Sequence, residues 1–356
     1  MPKKKSSISG AILSLAIIAL IAAAAILLYN NPQILNYPIS IISPTTAYNT
    51  TINQTNTTTI IQANDTVTNF TVDDYYILSL INKDRNQYGL KNVSLSSEPS
   101  GQQHTQSMLG NHYFSHWDVY GMKPYMRYTL LGGLGAVSEN IAFNSSSTCL
   151  GRLCKGTVNV EEALKAMEYS MMYNDSACCN NGHRDNILDP NHNQVSIGIS
   201  YTSGIIYLDE DFIDNYIIWD NNGPDISNNQ VSMSGQIQAP YTLSSVLIVY
   251  DPPVTGMSAI ELNQTSSYGY GQQVAGVVSN PLYYYSGINT IVAKKYGIDG
   301  NKFDIDFSVQ DLIKQYGAGE YTMLLWLNGT NSSSFVGSSY TIFINGSDQP
   351  YSPSYV

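Results

Sequence analysis

The stretch "CCNNGHRDNILDPNHNQVSIGI", residues 178–199, sets one imidazole where it can work. His183 follows two adjacent cysteines and an Asn-Asn-Gly turn, and it leads into a short apolar run that Pro190 stops before a strand. An imidazole held at the mouth of a cleft can move a proton or bind a metal near neutral pH; the same ring can also do no more than fill space. The cysteines are the second reactive set. Cys149, Cys154, Cys178 and Cys179 are the only ones in the chain. Outside the cytoplasm they pair, with three connectivities open. A bond between sequence neighbours strains the ring across a trans peptide, so Cys149 and Cys154 are expected to bond to Cys178 and Cys179. Such a bridge contributes about 3 kcal/mol and holds the loop before His183. A four-cysteine zinc site is the alternative.

Three helices and a hairpin must position these groups. "VDDYYILSLINKDRNQYGL" reads as a helix capped by Asp73 or Asp74, with Ile77, Leu78, Ile81 and Tyr88 near one face and Gly89 as its stop. "SSEPSGQQHTQSMLGNHYF" reads as a second, with Pro99 near its first turn and His104, Met108 and Asn111 on one face. "NVEEALKAMEYSMMYND" reads as a third, with Asn159 and Glu162 in a capping box. Its expected buried stripe is Val160, Ala163, Leu164, Met167, Ser170 and Met171, with Glu168 pointing away. "QVSIGISYTSGIIYLDEDF" alternates as two strands around a Thr-Ser-Gly turn. Helices followed by a hairpin predict an α+β layered domain over residues 73–214.

Six motifs in this order, "LINKDRNQYGL", "HTQSM", "FSHWDVYG", "SENIAF", "GHRDNILDP" and "VSIGISY…YLDEDF", resemble the CAP superfamily of cysteine-rich secretory, antigen 5 and pathogenesis-related proteins, in its prokaryotic form. The resemblance implies an α-β-α sandwich. It also implies a cleft in which His116, Glu139 and His183 match two histidines and a glutamate of the family. The family's second glutamate falls at Ser170, and His104 matches a histidine of the microbial branch. Two imidazoles and a carboxylate meeting in a cleft can hold zinc and leave a place for water. Without metal, one histidine can act as a base oriented by Glu139, or the cluster can be a hydrogen-bonded network that fixes the cleft. Ser170 is the nearest hydroxyl, though no nucleophile-elbow motif surrounds it. His104 is expected at the core edge, and His112 and His192 at the surface. Arg184 is expected in a salt bridge with an acid such as Asp185 or Asp189.

The surroundings of this domain say where it acts. Lys3, Lys4 and Lys5 precede an apolar run from Ile8 to about Tyr29, long enough to span a membrane with the body outside. The reading is a signal anchor over residues 1–29; a cleaved signal peptide with a peptidase site at Ala22–Ala25 is the alternative. Residues 30–72 are a Thr/Asn-rich stalk with glycosylation acceptors at Asn49, Asn53, Asn56, Asn64 and Asn69. The net charge of −11 becomes −14 once the three N-terminal lysines are set aside, and the chain has only four arginines. Such a surface repels phosphate backbones and excludes nucleic acid as a partner. With 12% charged residues and 28 tyrosines, the polar surface falls to Tyr, Asn, Ser and Thr.

After a turn-rich linker at residues 215–227, the pattern turns to short strands about a dozen residues apart. Phe303, Ile305, Phe307 and Val309 alternate with Asp304, Asp306 and Ser308. This predicts an immunoglobulin-like β-sandwich over residues 228–347, with one helical excursion at "SVQDLIKQYGAGEY" and a tail at residues 348–356. Trp326 and Tyr283–Tyr285 are read as core and rim. The functional expectation is a membrane-anchored surface protein that binds a surface protein, glycan or lipid, with a divalent metal or small ligand in the cleft. The alternatives are a zinc-assisted extracellular hydrolase using His183, His116 and Glu139, and an envelope or adhesion protein acting through the sandwich.

Overall fold

The computed structural model describes residues 70–146, 149–150, 153–154, 157–329 and 333–353. The expected membrane span, residues 30–69 of the stalk and all five stalk acceptors lie outside the described residues. Among the described residues no helix is long and apolar enough to cross a membrane.

Helix α1, Val72–Gln87, starts at the last residue of the expected stalk. Thr71 is its cap: its hydroxyl accepts from Asp74 N (3.2 Å), and Asp74 Oδ2 accepts from Thr71 N (2.6 Å). Ile77 and Ile81 are fully buried, and the chain leaves the helix through Gly89 at φ +73°. Strand β1 (Ser94–Leu95) and helices α2 (Ser100–Asn111) and α3 (Pro124–Leu130) lead to β2 (Ala136–Ser145). The short strands β3 (Cys149–Leu150) and β4 (Leu153–Cys154) precede α4 (Val160–Tyr173), α5 (Ser176–Cys179) and α6 (Gly182–Ile187). The hairpin β5 (Gln194–Tyr201) and β6 (Ile205–Asp214) completes a sheet of order β1-β5-β6-β2, antiparallel except for β1 on β5.

The period-two pattern of β6 splits its side chains between two layers. Ile206, Leu208 and Phe212 pack with Ile77 and Ile81 of α1 and Leu164 and Met167 of α4. On the other face α2 lies close against β5. A Cβ on Gly101 would stand 2.9 Å from Gly198 N, so two glycines let the helix approach. The α-β-α layering agrees with the expectation.

The linker expected at residues 215–227 is instead part of the second module. Strands β7 (Ile217–Trp219) and β8 (Asp225–Ser227) both pair with β9 (Gln230–Ile237). Asn221, Asn222 and Gly223 lie in the turn between β7 and β8, and Asn228 and Asn229 in the turn between β8 and β9. Then follow β10 (Thr242–Asp251), α7 (Ala259–Leu262), β11 (Gln272–Val278), β12 (Asn289–Val292), β13 (Lys295–Asp299) and β14 (Lys302–Ser308). Helix α8 (Gln310–Tyr316), β15 (Gly319–Asn328), β16 (Ser334–Ile344) and β17 (Pro350–Tyr351) close the chain. One sheet runs β13-β14-β9-β7 and the other β12-β11-β10-β15-β16-β17. Phe303, Ile305 and Phe307 of the first meet Val246, Ile248, Met323 and Leu325 of the second in one core. Each such fully buried side chain contributes about 1.5–3 kcal/mol.

The modules share apolar surface. Phe343 of β16 joins Tyr125 and Met126 of α3 and Val137 of β2. The β10–β11 connection, residues 252–271, crosses to the first module, where fully buried Leu262 packs with Met108, Tyr113 and Ile141.

Candidate functional site

Strand alternation sends Glu139 toward the α2–α3 layer and its neighbour Asn140 toward α6. Glu139 is buried in a network that three elements build. Its Oε1 lies 2.8 Å from His116 Nδ1, and its Oε2 bonds Arg127 Nη2 and lies 3.0 Å from His104 Nδ1. The His104 ring, held by α2, also meets Asp209 Oδ2 of β6 at 2.8 Å. Arg127, from α3, donates through Nη1 to the carbonyls of His116 (2.7 Å) and Met122 (3.0 Å). One buried guanidinium thus fixes both the carboxylate and the loop that carries His116.

The charges follow from this arrangement. Burial pushes the Glu139 carboxyl upward, but Arg127 together with His104 and His116 outweighs it and holds the group well below the usual carboxylate range. Burial, and then Arg127, lower His104. Asp209 is raised well above its ordinary value by burial and by Glu139 and Asp211, and Asp211 is pushed up to about 8 by burial and then Glu139.

His116 opens onto a cavity of about 490 Å³ whose walls come from both modules. The first module lends His116, Glu139, Asn140, Asp185 and Asp189; the second lends residues 267–270. Tyr268 is the central contribution. Its ring lies 4.9 Å from the His116 ring, and its hydroxyl accepts the Glu139 backbone N–H at 2.7 Å. Tyr125 OH donates to Asp251 Oδ2 (2.7 Å), and Lys123 Nζ pairs with Asp251 Oδ1 (2.7 Å) and donates to Gly269 O (2.9 Å), tying the two ends of the crossing segment down. Asn263 Oδ1 accepts Phe114 N–H at 2.8 Å.

His183 goes elsewhere. Its Nδ1 lies 2.6 Å from Asp175 Oδ1, while Asp175 Oδ2 accepts the backbone N–H of His183 (2.8 Å) and of Arg184 (3.2 Å). It lines a second cavity, about 440 Å³, with Phe114, Phe143, Met167, Met171 and Ser170. What joins it to β2 is its carbonyl, which accepts from Asn140 Nδ2 at 3.1 Å. The structure therefore brings His116 and Glu139 together and leaves His183 on the far side of the strand. The reason is that neighbours Glu139 and Asn140 face opposite layers, and α6 docks on Asn140.

That division bears on a metal. Glu139 already holds Arg127, and a carboxylate against a guanidinium is a poor ligand for a second cation. Among the described residues two groups bring ligand atoms within 4.8 Å of one another: His104, Glu139 and Asp209, and Asp175, Cys178, Cys179 and His183. The first contains the Arg127-bound carboxylate. In the second the sulfurs are bonded to each other. The His116–Glu139–His183 set does not fit zinc in this arrangement.

Several other expectations change. Cys178 pairs with Cys179 rather than with Cys149 or Cys154. The single turn of α5, followed by Asn180 and Asn181 at φ 52° and 65°, carries both cysteines on one bend. Cys149 and Cys154 face each other in backbone register, and their side chains lie outside the described residues. Ser170 is exposed and makes no hydrogen bond to His183, whereas Glu168 is 2% exposed, so the buried stripe of α4 is rotated from the expected one. Glu168 faces Glu210 of β6, and burial raises both, Glu210 to about 7. His104 is fully buried rather than at a core edge. His192 is buried too, bonded to Asp214 Oδ1 (2.7 Å) and stacked on Phe212 (5.3 Å), while His112 is exposed. Arg184 makes no salt bridge with Asp185 or Asp189; it donates to Met172 O (3.0 Å) and Tyr88 OH (2.8 Å). Arg127, Asp175, Asp209 and Tyr268 are the site residues that the sequence left unmarked. Of these, Asp209 lay inside the "YLDEDF" motif and Asp175 was an acid just before the cysteine turn.

Comparison with known proteins agrees with the motifs. The family model described as "CAP: Cysteine-rich secretory protein family" matches residues 78–218. Two solved structures are similar over 41% of this chain. One is an extracellular protein containing an SCP domain from Bacillus anthracis str. Ames, with 20% identity, 45% of that chain covered and a TM-score of 0.29. The other is the CAP domain of Enterococcal PrgA, with 14% identity, 64% of that chain covered and a TM-score of 0.27. The match thus spans less than two thirds of either chain. No curated protein matches. The chain carries a CAP domain of the cysteine-rich secretory protein family over residues 78–218.

Proposed function

We propose that this is a membrane-anchored extracytoplasmic binding protein whose ligand enters the cavity between the CAP domain and the second module. The observation that carries the reading is the composite cavity: the His116–Glu139 pair forms one wall and Tyr268 and Tyr270 another. Small-ligand sites tend to fall at such junctions, where a few polar groups are set among apolar and aromatic surface. With Nδ1 turned to Glu139, His116 keeps Nε2 for a ligand, and Glu139 fixes the ring orientation. Arg127 locks the carboxylate in turn, so the site is preorganised.

The second module is read as an immunoglobulin-like sandwich, because β7-β9-β14-β13 opposes β11-β10-β15-β16 in that fold's strand order. The apolar run at Ile8–Tyr29 supports the anchor. Turnover has less support. The exposed hydroxyl of Ser170 lies in the other cavity from His116, and no nucleophile-elbow motif surrounds it. The acid-rich surface, with Asp185 and Asp189 at the cavity, favours a neutral or cationic ligand.

The test is uptake of the ectodomain by cell-envelope fractions. The wild-type protein is expected to bind, and His116→Ala to reduce binding at least tenfold with an unchanged melting temperature. Equal binding by the variant removes the reading. Esterase or peptidase turnover that disappears in Glu139→Gln would replace it with the hydrolase.

A further inference from the structure

We propose that the open edge of β2 takes an extended polypeptide as an added strand, and that residues 263–270 are an intramolecular occupant of one end of that edge. This rests on the cleft being a binding site, and it names the ligand class.

The backbone phase of β2 can be read from two directions. Strand β2 is the outer strand of its sheet. The Glu139 N–H points away from β6, since it donates to Tyr268 OH. At the other edge Val195 O accepts from Ser96 N on the β1 side. Backbone groups alternate sides along a strand, so Ser196 faces β6 and bonds with its partner Asp211. Asp211 is also opposite Glu139, which is thereby left facing outward. The same alternation turns the N–H and C=O of Ile141 and Phe143 outward. Among the described residues nothing bonds to them there.

Those two residues run alongside the second cavity. Its floor is apolar, built by Phe114, Met167, Met171 and the Cys178–Cys179 pair, with His183 at its margin. Phe143 is half exposed. An unpaired strand edge beside an apolar groove is the arrangement on which extended peptides are captured, with main-chain bonds for affinity and alternate side chains in pockets. The chain itself lays residues 263–270 against the Glu139 end of that edge, through a side chain rather than through its own backbone. Tyr268 supplies the bond to the edge N–H and a ring against His116, and Ser115 Oγ meets Thr265 Oγ1 at 2.5 Å further along. An incoming polypeptide therefore pairs with Ile141 and Phe143, and it gains the Glu139 position and the His116 face by displacing Tyr268. Asp175 and Asp185 near the path favour a neutral or basic sequence.

The probe is a fluorescent peptide with the sequence of residues 263–271, titrated into the full chain. Tyr268→Ala is expected to bind it at least tenfold more tightly than the wild type, and binding is expected to slow hydrogen exchange at the Ile141 and Phe143 amides. The same peptide N-methylated at alternate backbone nitrogens is expected not to bind. Equal binding of both peptides, or no binding to folded Tyr268→Ala, overturns the proposal. Should that variant unfold, the wild type at excess peptide is read through the Phe143 amide, which Tyr268 does not cover; absent protection there overturns it equally. If the peptide fails while envelope binding still depends on His116, the polypeptide class falls and the binding cleft stands. If both fail, the two fall together.

Discussion

Two histidine–carboxylate pairs flank the edge strand, and they are held by different means. Glu139 at His116 is locked by a buried cation, Arg127. Asp175 at His183 is locked by two backbone N–H groups at the start of α6. The first pair is wired into the sheet and two helices; the second depends on one short turn. A buried ion pair punishes loss of one partner far more than loss of a hydrogen bond does. The two pairs should therefore fail by different amounts and with different reach.

The largest effect is expected from Arg127→Ala, which strands the Glu139 carboxylate in the interior and should cost about 3–5 kcal/mol in a urea titration. Adding Glu139→Gln should restore part of the loss; purely additive losses would mean the two do not form the pair described. Next comes the acid pair behind Asn140. Glu210 is raised by burial to about 7, from an ordinary value of 4.5, and Glu168 by burial and Glu210. The folded state then keeps protons that the unfolded chain releases. This contribution is full below about pH 4.5 and is lost as pH climbs through 7. Glu139 has the opposite sign, because its depressed value makes its contribution disappear only in strong acid. Glu168→Gln should raise stability at pH 8 by on the order of 2 kcal/mol and flatten the decline above pH 6, roughly as linkage requires; an unchanged profile would show the pair to be ionised. Asp175→Asn should cost about 1–2 kcal/mol and speed hydrogen exchange at His183 and Arg184 while leaving His116-dependent binding intact. Loss of that binding as well would tie the two pairs into one site. Smallest is Tyr268→Phe, about 0.5–1.5 kcal/mol, seen most directly as faster exchange of the Glu139 amide.

How much of this was legible in the sequence depends on the range over which each feature is decided. The helices and hairpin of the CAP domain announce themselves by local periodicity, as does the alternation of Phe303, Ile305 and Phe307, all buried. The contact of His116 with Glu139 came through motif resemblance. Glu168 misled because a buried acid looks the same as an exposed one on a helical stripe. Its burial against Glu210 of β6 accounts for the shift. His183 misled because order along the chain does not say which face of β2 a loop will meet. Tyr268 carried no local signal, since its partner Glu139 is 129 residues away and in the other module.

Zinc calorimetry on the full ectodomain tests the separation of the two pairs most directly. Wild type, His116→Ala and His183→Ala should give the same isotherm, because the two rings serve different cavities and Glu139 is committed to Arg127. A stoichiometric zinc site present in the wild type and abolished by either substitution would contradict the account, since it would require both rings to reach one ion.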